Sequence, residues 1–159
     1  MSYKYIKMQK NLSIGFKKKC LYGVMLFILI GCSNDALERN PFLPAMRFSI
    51  PINLSLPQYD NLRFAGGAIL LPNYGHKGII VFNLNGNSYL AWEASCPNHL
   101  PSDCSQTQIT GVLAQCSCED YQYSLATGQL LNPAEGQSEI YSMVMYQAIL
   151  RGNTLELSN

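Results

Sequence analysis

A chain of 159 residues has room for one domain and a leader, and its formal charge of +1 conceals a sharp division. The first 31 positions carry six lysines and no acid. From Cys32 onward five basic side chains (Arg39, Arg47, Arg63, Lys77, Arg151) face ten acidic ones, a net of −5. That balance offers no basic stripe and excludes nucleic-acid binding. No catalytic triad or glycine-rich phosphate loop is present either, so enzyme chemistry has no named residues behind it.

In chain order, Lys4, Lys7, Lys10, Lys17, Lys18 and Lys19 precede the apolar run "LYGVMLFILIG", residues 21–31. The run has the length of a signal-peptide core and is too short to span a bilayer. Basic residues ahead of it set the export orientation. The run closes on Leu29-Ile30-Gly31-Cys32, which resembles the lipobox of bacterial lipoproteins. The resemblance implies cleavage before Cys32 and a lipid on its thiol. It also implies membrane attachment at the cell envelope, facing the periplasm or the cell surface. The plain alternative is a short buried helix ending in an incidental cysteine; Met8 is a second candidate start. The chain therefore divides into a signal peptide (1–31), a lipidated Cys32 with its tether (32–47) and a domain (48–159).

Residues 33–47, "SNDALERNPFLPAMR", hold two prolines and no period, as a tether would. From Phe48 the pattern becomes β. "FSIPINLSL" alternates apolar and polar residues, and "GAILLP", "GIIVFNL" and "SYLAWEA" are short runs bounded by turn formers. Asn85-Gly86-Asn87 marks a hairpin between the last two, since Asn and Gly tolerate positive φ. "TGVLAQC", "DYQYSLA", "YSMVMYQAIL" and "TLELS" are further strands, the last pair joined through Arg151-Gly152-Asn153. No segment after residue 32 has a capped helical period. The expected fold is an all-β antiparallel sandwich or barrel of about 110 residues.

With Cys20 in the leader and Cys32 lipidated, Cys96, Cys104, Cys116 and Cys118 remain. An even set in an oxidising compartment reads first as disulfides, with three pairings open.

"AWEASCPNHLPSDC" (91–104) followed by "CSCEDYQYSLATGQLL" (116–131) resembles the paired loops of the Rieske iron–sulfur family. The similarity covers about residues 78–159. It implies a Rieske-like β-fold whose two loop tips form the site. In that family each loop supplies one Cys and one His to a two-iron, two-sulfur (2Fe-2S) cluster. Here Cys96 and Cys116 match the ligand cysteines, but the imidazole positions hold Asn98 and Glu119, with His99 one place late. Asp120 stands where the family has glycine, while Tyr121, Tyr123, Thr127 and Gly128 match. The resemblance also pairs Cys104 with Cys118 as a loop-bracing disulfide. If no cluster forms, it brings Cys96 and Cys116 close enough to bond to each other. An amide and a carboxylate are poor replacements for imidazole on thiolate-bridged iron. His99 would need a bulged loop and would lose the partner that orients a ligating ring.

Two rival sites use the same residues. Zinc could be held by Cys96, His99, Cys116 and Cys118, although C-x-C is tighter than usual zinc spacing. A thiol oxidoreductase would want C-x-x-C at a helix start, not C-x-C in a β context. His76 reads as a surface turn residue and Glu119-Asp120 as a solvated loop. Trp92 reads as core, and Tyr121, Tyr123, Tyr141 and Tyr146 as strand residues. The expected function is a non-catalytic, disulfide-stapled envelope module that binds a protein or small molecule. The alternative is a one-electron carrier with a 2Fe-2S centre on Cys96 and Cys116.

Overall fold

The computed structural model of the chain describes residues 39–136 and 139–159. The expected signal segment 1–31, the lipid site at Cys32 and the tether up to residue 38 lie outside the described residues. Among those described, no helix is long and apolar enough to cross a membrane.

The described residues form nine strands in order: β1 Ser49–Asn53, β2 Ala68–Leu71, β3 Ile79–Asn83, β4 Tyr89–Glu93, β5 Gln108–Thr110, β6 Leu113–Gln115, β7 Gln122–Ser124, β8 Met145–Arg151 and β9 Thr154–Ser158. They form a curled six-stranded sheet in the order β1-β9-β8-β4-β3-β2 and a three-stranded sheet β5-β6-β7. Every pairing is antiparallel. The fold is all-β.

Two features escaped the sequence pattern. β5 has three residues and one partly buried side chain, too little to register as alternation. Among the described residues one 3-10 segment, Pro57–Arg63, interrupts the β course. It buries Leu62 completely, and the Leu62 carbonyl accepts bonds from Asn83 Nδ2 (2.7 Å) and Tyr89 Oη (3.2 Å).

The β3–β4 hairpin divides two cores. All five residues of β3 are buried. Alternation sends Ile79 and Val81, with Ala91 of β4, toward Ile50, Ile52, Leu155 and Leu157. Ile80, Phe82 and Trp92 point the other way, onto Ala114, Cys116, Tyr123 and Leu125 of the small-sheet region. Fully burying each large side chain contributes about 1.5–3 kcal/mol, so this doubly covered hairpin is the structural centre. Its turn uses Gly86 at φ 94°, and Leu84 N–H bonds Ser88 O at 2.8 Å.

Residues 39–47, assigned to the tether from sequence, pack on the domain. The compact unit starts at Arg39. Leu43 is buried, Phe42 meets Tyr141 edge-on at 5.9 Å, and Asn40 Nδ2 donates to Pro97 O at 2.7 Å. Two prolines and an irregular pattern describe a strap that wraps a surface as well as a free linker.

Candidate functional site

Both cysteine loops grow directly out of strands. β4 ends at Glu93, and the chain then runs through Ala94 and Ser95 to Cys96. Cys96 N–H bonds Ser105 O at 2.7 Å and Thr107 N–H bonds Ala94 O at 2.8 Å, which closes the first loop at its neck. β6 runs into Cys116, whose N–H bonds Tyr121 O at 2.8 Å and closes the second loop. That tight return puts Asp120 at φ 57°, the one non-glycine residue at positive φ among those described. Asn132 holds the corner, donating from Nδ2 to Asp120 O (2.9 Å) while its Oδ1 accepts Gln122 N–H (2.7 Å). Asp120 thus holds a left-handed conformation that glycine favours and that Asp tolerates better than most.

Beneath the first loop lies a residue the sequence reading passed over. Glu93 is fully buried, and its carboxylate accepts from His76 N (2.8 Å), Lys77 N (3.0 Å), Ser95 N (2.9 Å) and Tyr146 Oη (2.7 Å). Four donors satisfy a buried carboxylate without a cation. Gly75 is required here: a Cβ on it would lie 2.5 Å from Glu93 Oε2. Burial, with the Glu93 carboxylate next, pushes the Tyr146 hydroxyl well above the ordinary tyrosine range. The available signal was an acid inside the apolar run "SYLAWEA".

The four cysteines form two disulfides, Cys96–Cys116 and Cys104–Cys118, with Cα separations of 5.7 and 5.3 Å. The first is fully buried against Trp92, Ala114 and Tyr123; Cys118 is half-buried and Cys104 exposed. Trp92 is core, with Nε1–H bonding Leu125 O at 2.9 Å. Gly128, at φ 72°, lies so close that a Cβ there would sit 2.5 Å from the indole ring.

Asn98 faces inward but is fully engaged. Its Nδ2 donates to Tyr123 Oη (2.8 Å) and Tyr141 O (3.0 Å), and its Oδ1 accepts Tyr141 N–H (2.8 Å). It pins the 139–143 segment over the first loop. Burial raises the Tyr123 hydroxyl well above the ordinary tyrosine value; the Asn98 bond opposes that, and Glu119 and Tyr121 add to it.

His99 reaches the site despite its displaced position. Nε2 stands 3.8 Å from Cys116 Sγ and 3.4 Å from Glu119 Oε1. Nδ1 lies 2.8 Å from Leu100 O, which can only accept, so Nδ1 carries the proton and the ring has its orienting partner after all. This corrects the expectation of an unsupported ring. The loop's backbone supplies the partner locally. Glu119 Oε2 is 3.0 Å from Cys116 Sγ. A disulfide sulfur has no proton to donate, so this is a close contact rather than a hydrogen bond.

Cys96, His99, Cys116, Cys118 and Glu119 thus offer ligand atoms all within 4.8 Å of one another. A 2Fe-2S cluster of Rieske type needs two free thiolates and two imidazoles. Cys96 and Cys116 are bonded to each other, and both polar atoms of Asn98 are spent on tyrosines. One imidazole and one carboxylate remain, and these residues do not fit the cluster. His76 lies elsewhere, its Nε2 2.8 Å from Pro44 O.

No family model and no curated protein matches this chain. Solved structures similar to it include the ferredoxin of carbazole 1,9a-dioxygenase from Nocardioides aromaticivorans IC177, at 14% identity and TM-score 0.40. That match covers 59% of this chain and 86% of the ferredoxin. A Mycobacterium tuberculosis chain described as the small subunit of an NADH-dependent nitrite reductase is 16% identical with TM-score 0.42. Coverage there is 72% of this chain and 97% of the other.

Proposed function

We propose that this chain is a disulfide-stapled β-module of Rieske-type architecture whose cluster site has been converted into a structural joint. On this reading it is exported, anchored to the cell envelope through a lipid on Cys32, and binds a partner without catalysing a reaction. The observation that supports it most is Asn98. At the position of a ligand imidazole it uses its whole amide to tie Tyr123 and Tyr141 together. Losing a cluster leaves a gap between two loops, and here that gap is bridged by Cys96–Cys116 and locked by the amide.

Iron analysis and a visible spectrum of protein purified without oxygen test the reading. The expected result is colourless protein without stoichiometric iron. About two irons per chain with reddish-brown colour would replace it with the electron-carrier alternative. The anchor has its own test: Cys32→Ser should abolish fatty-acid labelling and release the protein from membranes, and unchanged labelling would remove the lipoprotein part.

A further inference from the structure

We propose that the buried Cys96–Cys116 disulfide is the closed form of a mononuclear site for a zinc-type divalent cation, opened by reduction and held by Cys96, Cys116, His99 and Glu119. The inference rests on the reading above, in which no cluster occupies these loops. Its starting point is distance. His99 Nε2 lies 3.4 Å from Glu119 Oε1 and 3.8 Å from Cys116 Sγ, and Glu119 Oε2 lies 3.0 Å from the same sulfur. Around a tetrahedral zinc with bonds of about 2.0–2.3 Å, neighbouring donors stand about 3.3–3.8 Å apart. His99, Glu119 and Cys116 are gathered at about that spacing, and the Cys96 sulfur lies within 4.8 Å of them. The two bonded sulfurs must separate.

Orientation agrees with distance. His99 Nδ1–H donates to Leu100 O, the arrangement that fixes a ligating imidazole and presents Nε2 to the metal. Asn98 is held away by its tyrosines, so the set contains one ring nitrogen, two sulfurs and one carboxylate. That set suits a single borderline ion. Cys118 shares the neighbourhood and is withheld only while its bond to Cys104 survives reduction, so the site is tested without it in a Cys104→Ser/Cys118→Ser variant.

The opening step needs a dithiol reductant. Two electrons pass from the dithiol to the Cys96–Cys116 bond. The reductant closes to its own disulfide, and its two thiol protons end on the two cysteine sulfurs. The cation then displaces those two protons and binds both thiolates.

The test uses the oxidised protein and the same protein reduced by a phosphine, which takes oxygen from water to become its oxide. After anaerobic removal of the phosphine, each is titrated with cobalt(II), a coloured substitute for zinc. Reduced protein should bind one cobalt per chain with thiolate-to-metal absorption, bleached by one equivalent of zinc; oxidised protein should show none. His99→Ala and Glu119→Ala should each weaken binding about tenfold or more. The Cys104→Ser/Cys118→Ser double variant should retain the absorption. Absence of cobalt absorption after reduction, or unchanged binding in His99→Ala, overturns the proposal. Should reduction unfold the domain, zinc must restore its β circular dichroism, and failure to do so also overturns it. Iron-free, two-disulfide protein that ignores cobalt after reduction would sink this inference while leaving the proposed function standing.

Discussion

Asn98 shows how one amide can hold two loops together. Its three hydrogen bonds cross from the first loop to Tyr123 of β7 and to Tyr141. At about 1 kcal/mol net each, Asn98→Ala should cost about 2–3 kcal/mol in denaturant unfolding. A loss below 0.5 kcal/mol, on the order of a surface substitution, would refute its role as the joint. Asp120 is the neighbouring case. At φ 57° a β-branched side chain is strained, so Asp120→Val should lower stability by about 1–2 kcal/mol, while Asp120→Gly should not. Glu93 sets the base of the same loop. Glu93→Gln keeps the volume but turns one acceptor oxygen into an N–H facing other N–H groups, and should cost about 3 kcal/mol. Hydrogen exchange at Ser95 and Lys77 should accelerate in that variant if the carboxylate is what protects them.

Strands show where a sequence is readable and where it stops being so. Period-two alternation in "FSIPIN" and "TLELS" is visible because β1 and β9 bury one face only. The Asn85-Gly86-Asn87 and Arg151-Gly152-Asn153 turns are visible because positive φ, 94° at Gly86 and 58° at Gly152, selects glycine over most residues. The 3-10 segment Pro57–Arg63 is not, because seven residues with one buried side chain carry no helical period. Within the site, the cysteine loops were legible from spacing, but their hydrogen bonds were not. Glu93 collects donors 16 and 17 residues upstream and 53 downstream, contacts that only the folded register creates. His99 was misjudged for a related reason: ligand spacing says where a side chain should be, not how far a proline-flanked loop lets it swing. The two disulfides act at this scale too, closing separations of 20 and 14 residues. Each should contribute about 3 kcal/mol in the chain-entropy model, read as a drop in midpoint when that pair is replaced by serine.

Across the whole molecule, alkaline pH is the weak side. Tyr89, Tyr123 and Tyr146 all have hydroxyls raised above the ordinary value of 10.0, in each case chiefly by burial. The folded state keeps those protons while the unfolded chain releases them. Their contribution is therefore intact below about pH 10 and lost as pH climbs beyond it. Urea midpoints should fall progressively above pH 10, and less steeply in Tyr123→Phe. A curve flat to pH 12 would contradict the buried-tyrosine picture.

Cys96 and Cys116 are joined to each other. Mass spectrometry of native protein, alkylated under denaturing conditions without reductant and then digested, measures this directly. The expected outcome is no alkylated cysteine between residues 39 and 159, with cross-linked peptides joining Cys96 to Cys116 and Cys104 to Cys118. Stoichiometric alkylation of Cys96 and Cys116, with Cys104–Cys118 alone intact, would contradict it.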